Sequence, residues 1–328
     1  MLRRIAVFVV IAVACAYAAP QDDDEYEVTR VVDGDTIRVS GLDNSLRLLG
    51  IDTEETFKHR SEREAFARGW QQYVTGVRGT SRHPVKFATP LGEDAKRWAD
   101  AWFADVHAVK IERDDPQEIR DRYGRYLAYV LAEKHGKWLC YNVEAVRAGM
   151  SPYFPKYGRS RRYHADFVAA EAEAKAAHRG IWAPNAQAYP DYPEREAWWA
   201  ARGDFVEAFR AHANDPSYID VSHADASARL GQLVGKPVVV LGVVDKIYGG
   251  HPARVMLGEV PLVFFHADVL DGTQLAAWQG EFVTASGTVS IYKGKLELVI
   301  DRPSQIVRSQ VPGITAAPQT TAGDREAR

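Results

Sequence analysis

Cysteine is almost missing from this chain: two occur in 328 residues, Cys15 and Cys140. Cys15 falls in an apolar run, residues 5–19, that follows Arg3-Arg4 and ends in the small-residue pattern Ala16-Tyr17-Ala18 before the acidic QDDDEYE. That order predicts an export signal over residues 1–18, cleaved after Ala18, too short for a comfortable membrane span. Lipid anchoring at Cys15 is the alternative, although AVAC lacks the leucine usual at such a site. Removal of the signal leaves Cys140 by itself, which excludes an intrachain disulfide and makes packing the source of stability. No His or Asp accompanies Cys140 in a nucleophile pattern, so it reads as a small buried apolar residue.

Long apolar runs are absent after residue 19, so no later segment is expected to cross a membrane. His59, His107, His135, His164 and His178 are scattered without ligand spacing, which argues against zinc. Charge of either sign is nearly balanced, 41 Lys and Arg against 44 Asp and Glu, a net of −3. The balance does not advertise a nucleic-acid binder, but a whole-chain sum can hide a local basic face. Internal repeats and low-complexity bulk are missing too. What remains is a globular composition, 46% hydrophobic and 26% charged, long enough for two cores.

Hydrophobic alternation and turn residues predict β structure over 26–39 and 46–51. Residues 56–104 read as helical, with breaks at 76–79 and 83–84. Strands are expected at 108–112 and 125–132, joined by the polar loop RDDPQEIRDRYG, and a short helix at 138–149. RYHADFVAAEAEAKAAHRG, residues 162–180, is alanine- and glutamate-rich and stops at Gly180, the clearest helix in the chain. A helical connector, 184–215, follows, in which AWW at 197–199 reads as packing. From 218 the texture turns to strands, at 238–248, 253–257, 262–265, 282–291 and 296–300. A helical patch, DGTQLAAW, lies between the third and fourth, the order of an OB-type barrel. The tail, 311–328, is small and polar and is expected to be disordered.

The stretch VVDGDTIRVSGLDNSLRLLGIDTEET, residues 31–56, places Asp35 and Asp52 seventeen residues apart, each at the edge of a β run. If the runs pair, the two carboxylates converge, and their repulsion is relieved by a hard cation such as Ca²⁺ with oxygen ligands at roughly 2.3–2.6 Å. Thr53 can add its backbone carbonyl. Glu55 suits polarising a water, and Arg47 suits facing an anion. Taken singly, DGDT is a turn, RLLGIDTEE a strand ending in an acidic helix cap, and DRYGR a polar turn.

Together and in this order, VVDGDTI, RLLGIDTEET, DRYGRYLAYV, Asn142 and EAEAKAAHRGIW resemble the staphylococcal nuclease (thermonuclease) family over residues 28–182. The resemblance implies an α+β fold, mostly β with packed helices: an OB-fold nuclease barrel over 26–183, followed by a second OB-like barrel over 216–310. It implies that Asp35, Asp52 and the Thr53 carbonyl hold Ca²⁺, and that Glu55 is the general base. Arg47 and Arg125 clamp the scissile phosphate in that reading, with Tyr123, Arg122 and Tyr157 as further substrate contacts. The expected substrates are DNA and RNA, cut to leave 3′-phosphate ends. These residue types suit a phosphorane that gains negative charge, which guanidinium forks and a divalent cation stabilise.

Two departures stand out. Glu54 occupies a position where the family commonly has proline, leaving two adjacent acids and a one-residue ambiguity about the base. Between 56 and 91 an extended arm carries Lys58, Arg60, Arg63, Arg68, Arg78, Arg82 and Lys86 against Glu62 and Glu64, seven cations to two acids. It reads either as a polymer-binding surface or as a solvated helical face. KYGRSRR, 156–162, edged by Tyr157 and Tyr163, reads as substrate contact. Residues 203–310 hold twelve acids and nine Lys or Arg, which favours a structural or protein-contact role over strand binding. Three other functions stay open here: a catalytically silent nucleic-acid binder, a hydrolase of small phosphodiesters, and an adhesive scaffold.

Overall fold

Two β-sheets, each with its own core, are joined through one long helix. The computed structural model describes residues 24–310 except 82, 122 and 135. The expected signal peptide with Cys15, the tail after 310, Arg122, Arg82 and His135 therefore lie outside the described residues.

The first sheet contains β1 (Glu25–Tyr26), β2 (Val28–Asp33), β3 (Thr36–Val39), β4 (Leu46–Leu48), β5 (Val109–Glu112), β6 (Tyr126–Lys134) and β7 (Lys137–Cys140). Its order is β1-β5-β6-β4-β3-β2, with β7 paired to β6. Ile37, Leu46, Leu48, Val109 and Val130 point into one core, closed by Ala99 and Phe103 on one side and Phe167 and Ala170 on another. Those last four belong to α3 (Pro90–Phe103) and α5 (His164–Ala176). Asn142, in α4 (Tyr141–Arg147), stitches two strands: its Nδ2 donates to the carbonyls of Leu49 and Ala128, and its Oδ1 accepts from Val130 N.

Three expectations are corrected. Trp138–Cys140 is the returning strand of a β6–β7 hairpin rather than the start of a helix, so only the second half of 138–149 is helical. The helix expected to stop at Gly180 ends at Ala176, and His178 takes a left-handed backbone, φ 52°. In the arm, α1 (Arg60–Ala67) and α2 (Trp70–Arg78) divide at Gly69, and α2 runs through Gly76.

The connector is α6 (Tyr192–Arg210). One end packs Tyr192 and Trp199 with Phe154, Tyr189 and the arm's Tyr73 and Phe87. The other packs Val206 and Phe209 on Leu241 and Phe282 of the second sheet. That sheet holds β8 (Tyr218–Asp220), β9 (Pro237–Tyr248), β10 (Ala253–Leu257), β11 (Val260–Phe264), β12 (Phe282–Tyr292), β13 (Lys295–Val299) and β14 (Ile306–Arg308). Its order is β14-β12-β13-β11-β10-β9-β8, and an added β12–β9 pairing closes β9 to β13 into a ring. Helices α7 (Ala226–Gln232) and α8 (Ala267–Thr273) cap its core, with Ala226, Leu230 and Val269 buried there. The short elements β8, α7 and β14 were not foreseen in the sequence. No described helix is long and apolar enough to cross a membrane.

Candidate active site

The β2–β3 hairpin turns through Gly34-Asp35, with Asp33 opposite Thr36. Asp33 accepts a bond from Asp35 N at 3.2 Å, and Tyr141 donates to the Gly34 carbonyl at 2.8 Å, so the turn is fixed from both sides. Asp35 is thereby aimed back under the sheet, where its carboxylate accepts from Thr36 Oγ1 at 2.9 Å and from Thr53 N at 3.2 Å. Asp52 follows β4, its backbone N–H held by Ser151 Oγ at 2.8 Å. Asp35, Asp52 and Thr53 are all buried.

Arg47 stands opposite Thr36 across β3–β4 and joins the two acids. Its Nη2 lies 2.7 Å from Asp52 Oδ1 and 3.4 Å from Asp35 Oδ2, while Nη1 donates to the Leu48 and Ile51 carbonyls at 2.8 and 2.9 Å. Lys86, from the end of the arm, brings Nζ to 2.5 Å from the same Asp52 oxygen. Burial raises the Asp35 carboxyl, but Arg47 and Lys86 outweigh it and hold that carboxyl below the usual range. Its neighbour Asp33 goes the other way, pushed up to about 7 by burial and by the Asp35 charge. Burial works against the Arg47 guanidinium, and the Asp35 and Asp52 carboxylates overcome it, raising its pKa.

Asp35 and Asp52 turn two carboxylates towards one cationic nitrogen, and the carbonyl of Thr53, next in the chain, would keep the donor set all-oxygen. That chemistry fits a hard cation completed by water, and Ca²⁺ in particular. Among the described residues no group of three or more His, Cys, Asp or Glu is placed to hold a metal by side chains alone.

The adjacent acids are told apart by their surroundings. Glu54 is 2% exposed, and its Oε1 accepts from Tyr189 N at 2.7 Å and Tyr192 Oη at 2.9 Å. Thr89, the N-cap of α3, bonds its other oxygen. Burial outweighs these bonds and pushes the Glu54 carboxyl up to about 7. Glu54 is therefore an anchor between the site, α3 and the connector. Glu55 points the other way, partly exposed and 2.8 Å from Lys58 Nζ. Its backbone is pinned from behind: a Cβ at Gly92, in the first turn of α3, would fall 2.1 Å from the Glu55 carbonyl oxygen, so only glycine allows that approach.

Glu54 carries a pH prediction. A carboxyl whose folded pKa exceeds its unfolded value binds more protons when folded, so its contribution falls as pH rises from about 4.5 to about 7. Glu54→Gln removes the titration and keeps an oxygen for Tyr189 and Tyr192. Urea unfolding at pH 5 and pH 8 is expected to favour the variant at pH 8, relative to pH 5, by on the order of 2–3 kcal/mol. Equal differences at both pH values would refute the assignment.

Tyr157, 54% exposed, packs edge-on against Phe154 and Phe282, and it is among the groups whose charge acts on Arg47. Arg125 is held by Asp121, Nε at 2.8 Å and Nη2 at 2.6 Å, and lies 5.5 Å from the exposed Tyr123 ring. The parallel β4–β6 register pairs Arg47 with Leu127. Two residues back, Arg125 falls on the face that carries Arg47, with Cα atoms about 8 Å apart.

Of the two readings of the arm, its ion pairs favour the solvated helical face. Arg60 pairs with Glu64, Arg63 with Glu93, and Arg78 with Asp191 and Glu194 of the connector. With Lys58 and Lys86 also paired, its positive excess is largely spent within the protein. In 156–162, Arg159, Arg161 and Arg162 pair with Asp204, Asp115 and Glu112, and Tyr163 donates to Glu112. Cys140 is half-buried, and burial pushes its thiol up to about 12, which suits no nucleophile. Lys86 is the site residue that sequence reasoning did not single out; only its place in a basic arm could have drawn attention to it.

Comparison with known proteins completes the assignment. The family model for staphylococcal nuclease homologues matches residues 45–184, beginning after the Asp35 turn. An uncharacterized protein of Methanocaldococcus jannaschii is 30% identical over 158 residues, 48% of this chain and 70% of that protein. The thermonuclease of Staphylococcus hyicus is 28% identical over 166 residues, 49% of this chain and 77% of its own length. Endonuclease YncB of Bacillus subtilis is 29% identical over 156 residues, 47% of this chain and 59% of its own. Through its first domain, the chain belongs to the staphylococcal nuclease homologue family.

Proposed function

We propose that the protein is a Ca²⁺-dependent nuclease that hydrolyses phosphodiester bonds of DNA and RNA and leaves 3′-phosphate ends. The observation that carries this reading is the single Arg47 nitrogen between the Asp35 and Asp52 carboxylates, with a partly exposed Glu55 three residues on from Asp52. Asp35, Asp52 and the Thr53 carbonyl would hold the cation, which when bound supplies Lewis-acid charge to a phosphate oxygen. Glu55 orients a water and takes its proton. Arg47 and Arg125 hold the nonbridging oxygens as they gain charge, and Tyr123, Arg122 and Tyr157 contact the flanking nucleotide. The family relationship and two relatives named as endonuclease or thermonuclease support the same class.

The reading extends to architecture and place of action. We assign an OB-fold nuclease barrel to 26–183, a connector to 184–215 and an OB-like barrel to 216–310, the last supported by the closed ring of β9 to β13. Export is supported by the apolar, small-residue pattern of residues 5–19.

Digestion of single-stranded DNA by the purified chain tests the function. Cleavage in Ca²⁺ is expected to vanish in chelator, and Glu55→Gln to fall by about 10²–10³ in kcat, the loss typical of a general base or fixed charge. Undiminished cleavage in chelator would overturn the metal assignment. A Glu55→Gln enzyme within threefold of the parent would remove Glu55 from the chemistry.

A further inference from the structure

The loop after Phe154 runs between the candidate active site and the connector helix, and it carries one cation unlike its neighbours. Lys156 Nζ lies 4.6 Å from the Trp198 ring and 5.9 Å from the Tyr157 ring. Among the described residues it makes no ion pair and no side-chain hydrogen bond. The carboxylates whose charge reaches it are committed elsewhere. Asp52 faces Arg47 and Lys86, and Glu281 is bonded by Arg202 and by Trp198 Nε1. Burial, with Arg202 and Lys86 nearby, pulls the Lys156 ammonium down to about 8.

The position is built rather than mobile. Arg202 Nε donates to the Lys156 carbonyl at 3.4 Å, and Phe154 packs edge-on against Trp199 at 4.8 Å. Gly203 of α6 rests on Pro155, where an added Cβ would stand 2.9 Å from the Pro155 oxygen. A desolvated ammonium without a counter-ion costs stability, and a fixed protein group that carries this cost gains most from an incoming anion.

We propose that Lys156, backed by Trp198 and flanked by Tyr157, is a second phosphate subsite that takes a phosphodiester of the polymer next to the one held at Arg47. The inference rests on the nuclease reading for the identity of its ligand. It directs the strand from Arg47 over the 155–158 loop towards the connector, with the half-exposed Tyr157 ring offered to a base. Arg159, Arg161 and Arg162 are paired with Asp204, Asp115 and Glu112, which leaves Lys156 as the cation of this loop open to a substrate.

The test uses the full chain with Lys156→Gln and Lys156→Arg. Anisotropy of a labelled 12-nucleotide single strand in chelator is expected to show about tenfold weaker binding for Lys156→Gln at 0.1 M KCl. The salt slope is expected to flatten by about 0.7, the share of one phosphate contact on a single strand. In Ca²⁺, KM for DNA rises with kcat unchanged, and a p-nitrophenyl thymidine phosphodiester, which has a single diester, is hydrolysed as by the parent. Lys156→Arg restores binding, and Lys156→Gln melts no lower than the parent. Unchanged affinity and salt slope overturn the subsite, as does an equal loss on the small diester. An inactive parent that still binds DNA through Lys156 would sink the nuclease reading and leave the subsite standing.

Discussion

Arg47→Ala is expected to lower kcat/KM on single-stranded DNA by about 10²–10³ and, separately, to destabilise the metal-free protein by about 3 kcal/mol. The two effects have different causes. The first is the loss of a preset fork for a phosphorane whose charge grows in the transition state. The second arises because Asp35 and Asp52 are buried carboxylates whose shared counter-ion is the same guanidinium nitrogen. Lys86 remains on Asp52 and limits the damage. Calcium is expected to separate the effects: held at the Asp35 and Asp52 oxygens, it would recover most of the lost melting temperature and none of the lost rate. Arg47→Lys is expected to resemble the alanine variant in rate, because one ammonium cannot bond the Leu48 and Ile51 carbonyls and both acids at once. Activity within tenfold of the parent in both variants would show that Arg47 is a structural cation.

The site residues readable in the sequence are those whose roles are encoded locally. Asp35 sits in a two-residue turn whose Gly-Asp chemistry is visible as text, and Arg47, Asp52 and Thr53 lie on one strand and its exit. Their spacing brings them together once β3 and β4 pair. The five strands of the ring were legible for the same reason, since alternation and turn residues are short-range signals. The missed elements, β8, α7 and β14, are three to seven residues long, too short for a period to show.

Long-range partners were not legible. Nothing beside Glu54 distinguishes it from Glu55, because what defines it, Tyr189 and Tyr192, lies 135 and 138 residues away. The arm's seven cations to two acids read as an open basic surface only while Glu93, Asp191 and Glu194 are out of view. Trp138–Cys140 reads as helix because its pattern merges with α4, and its partner strand, β6, is what makes it β.

The largest stability effect is expected where the connector meets the second sheet. Arg202 and Glu281 are both nearly inaccessible and bonded to each other, and Arg202 Nη1 also donates to the Gly280 carbonyl at 2.9 Å. The guanidinium lies 4.6 Å from the Phe282 ring, and Trp198 Nε1 donates to Glu281 at 3.2 Å. Arg202→Met leaves a buried carboxylate with only the indole, and is expected to cost about 3–5 kcal/mol in urea unfolding. The double variant Arg202→Met with Glu281→Leu removes the stranded charge and is expected to recover more than half of that loss, since a buried pair often roughly balances its own desolvation. Arg202 also holds the Lys156 carbonyl, so both variants are expected to raise KM for DNA while leaving hydrolysis of a small diester near the parent rate. If the double variant is no more stable than Arg202→Met, the cost lies in the packing of the arginine stem and ring contacts, and the pair is not the link between the connector and the second sheet.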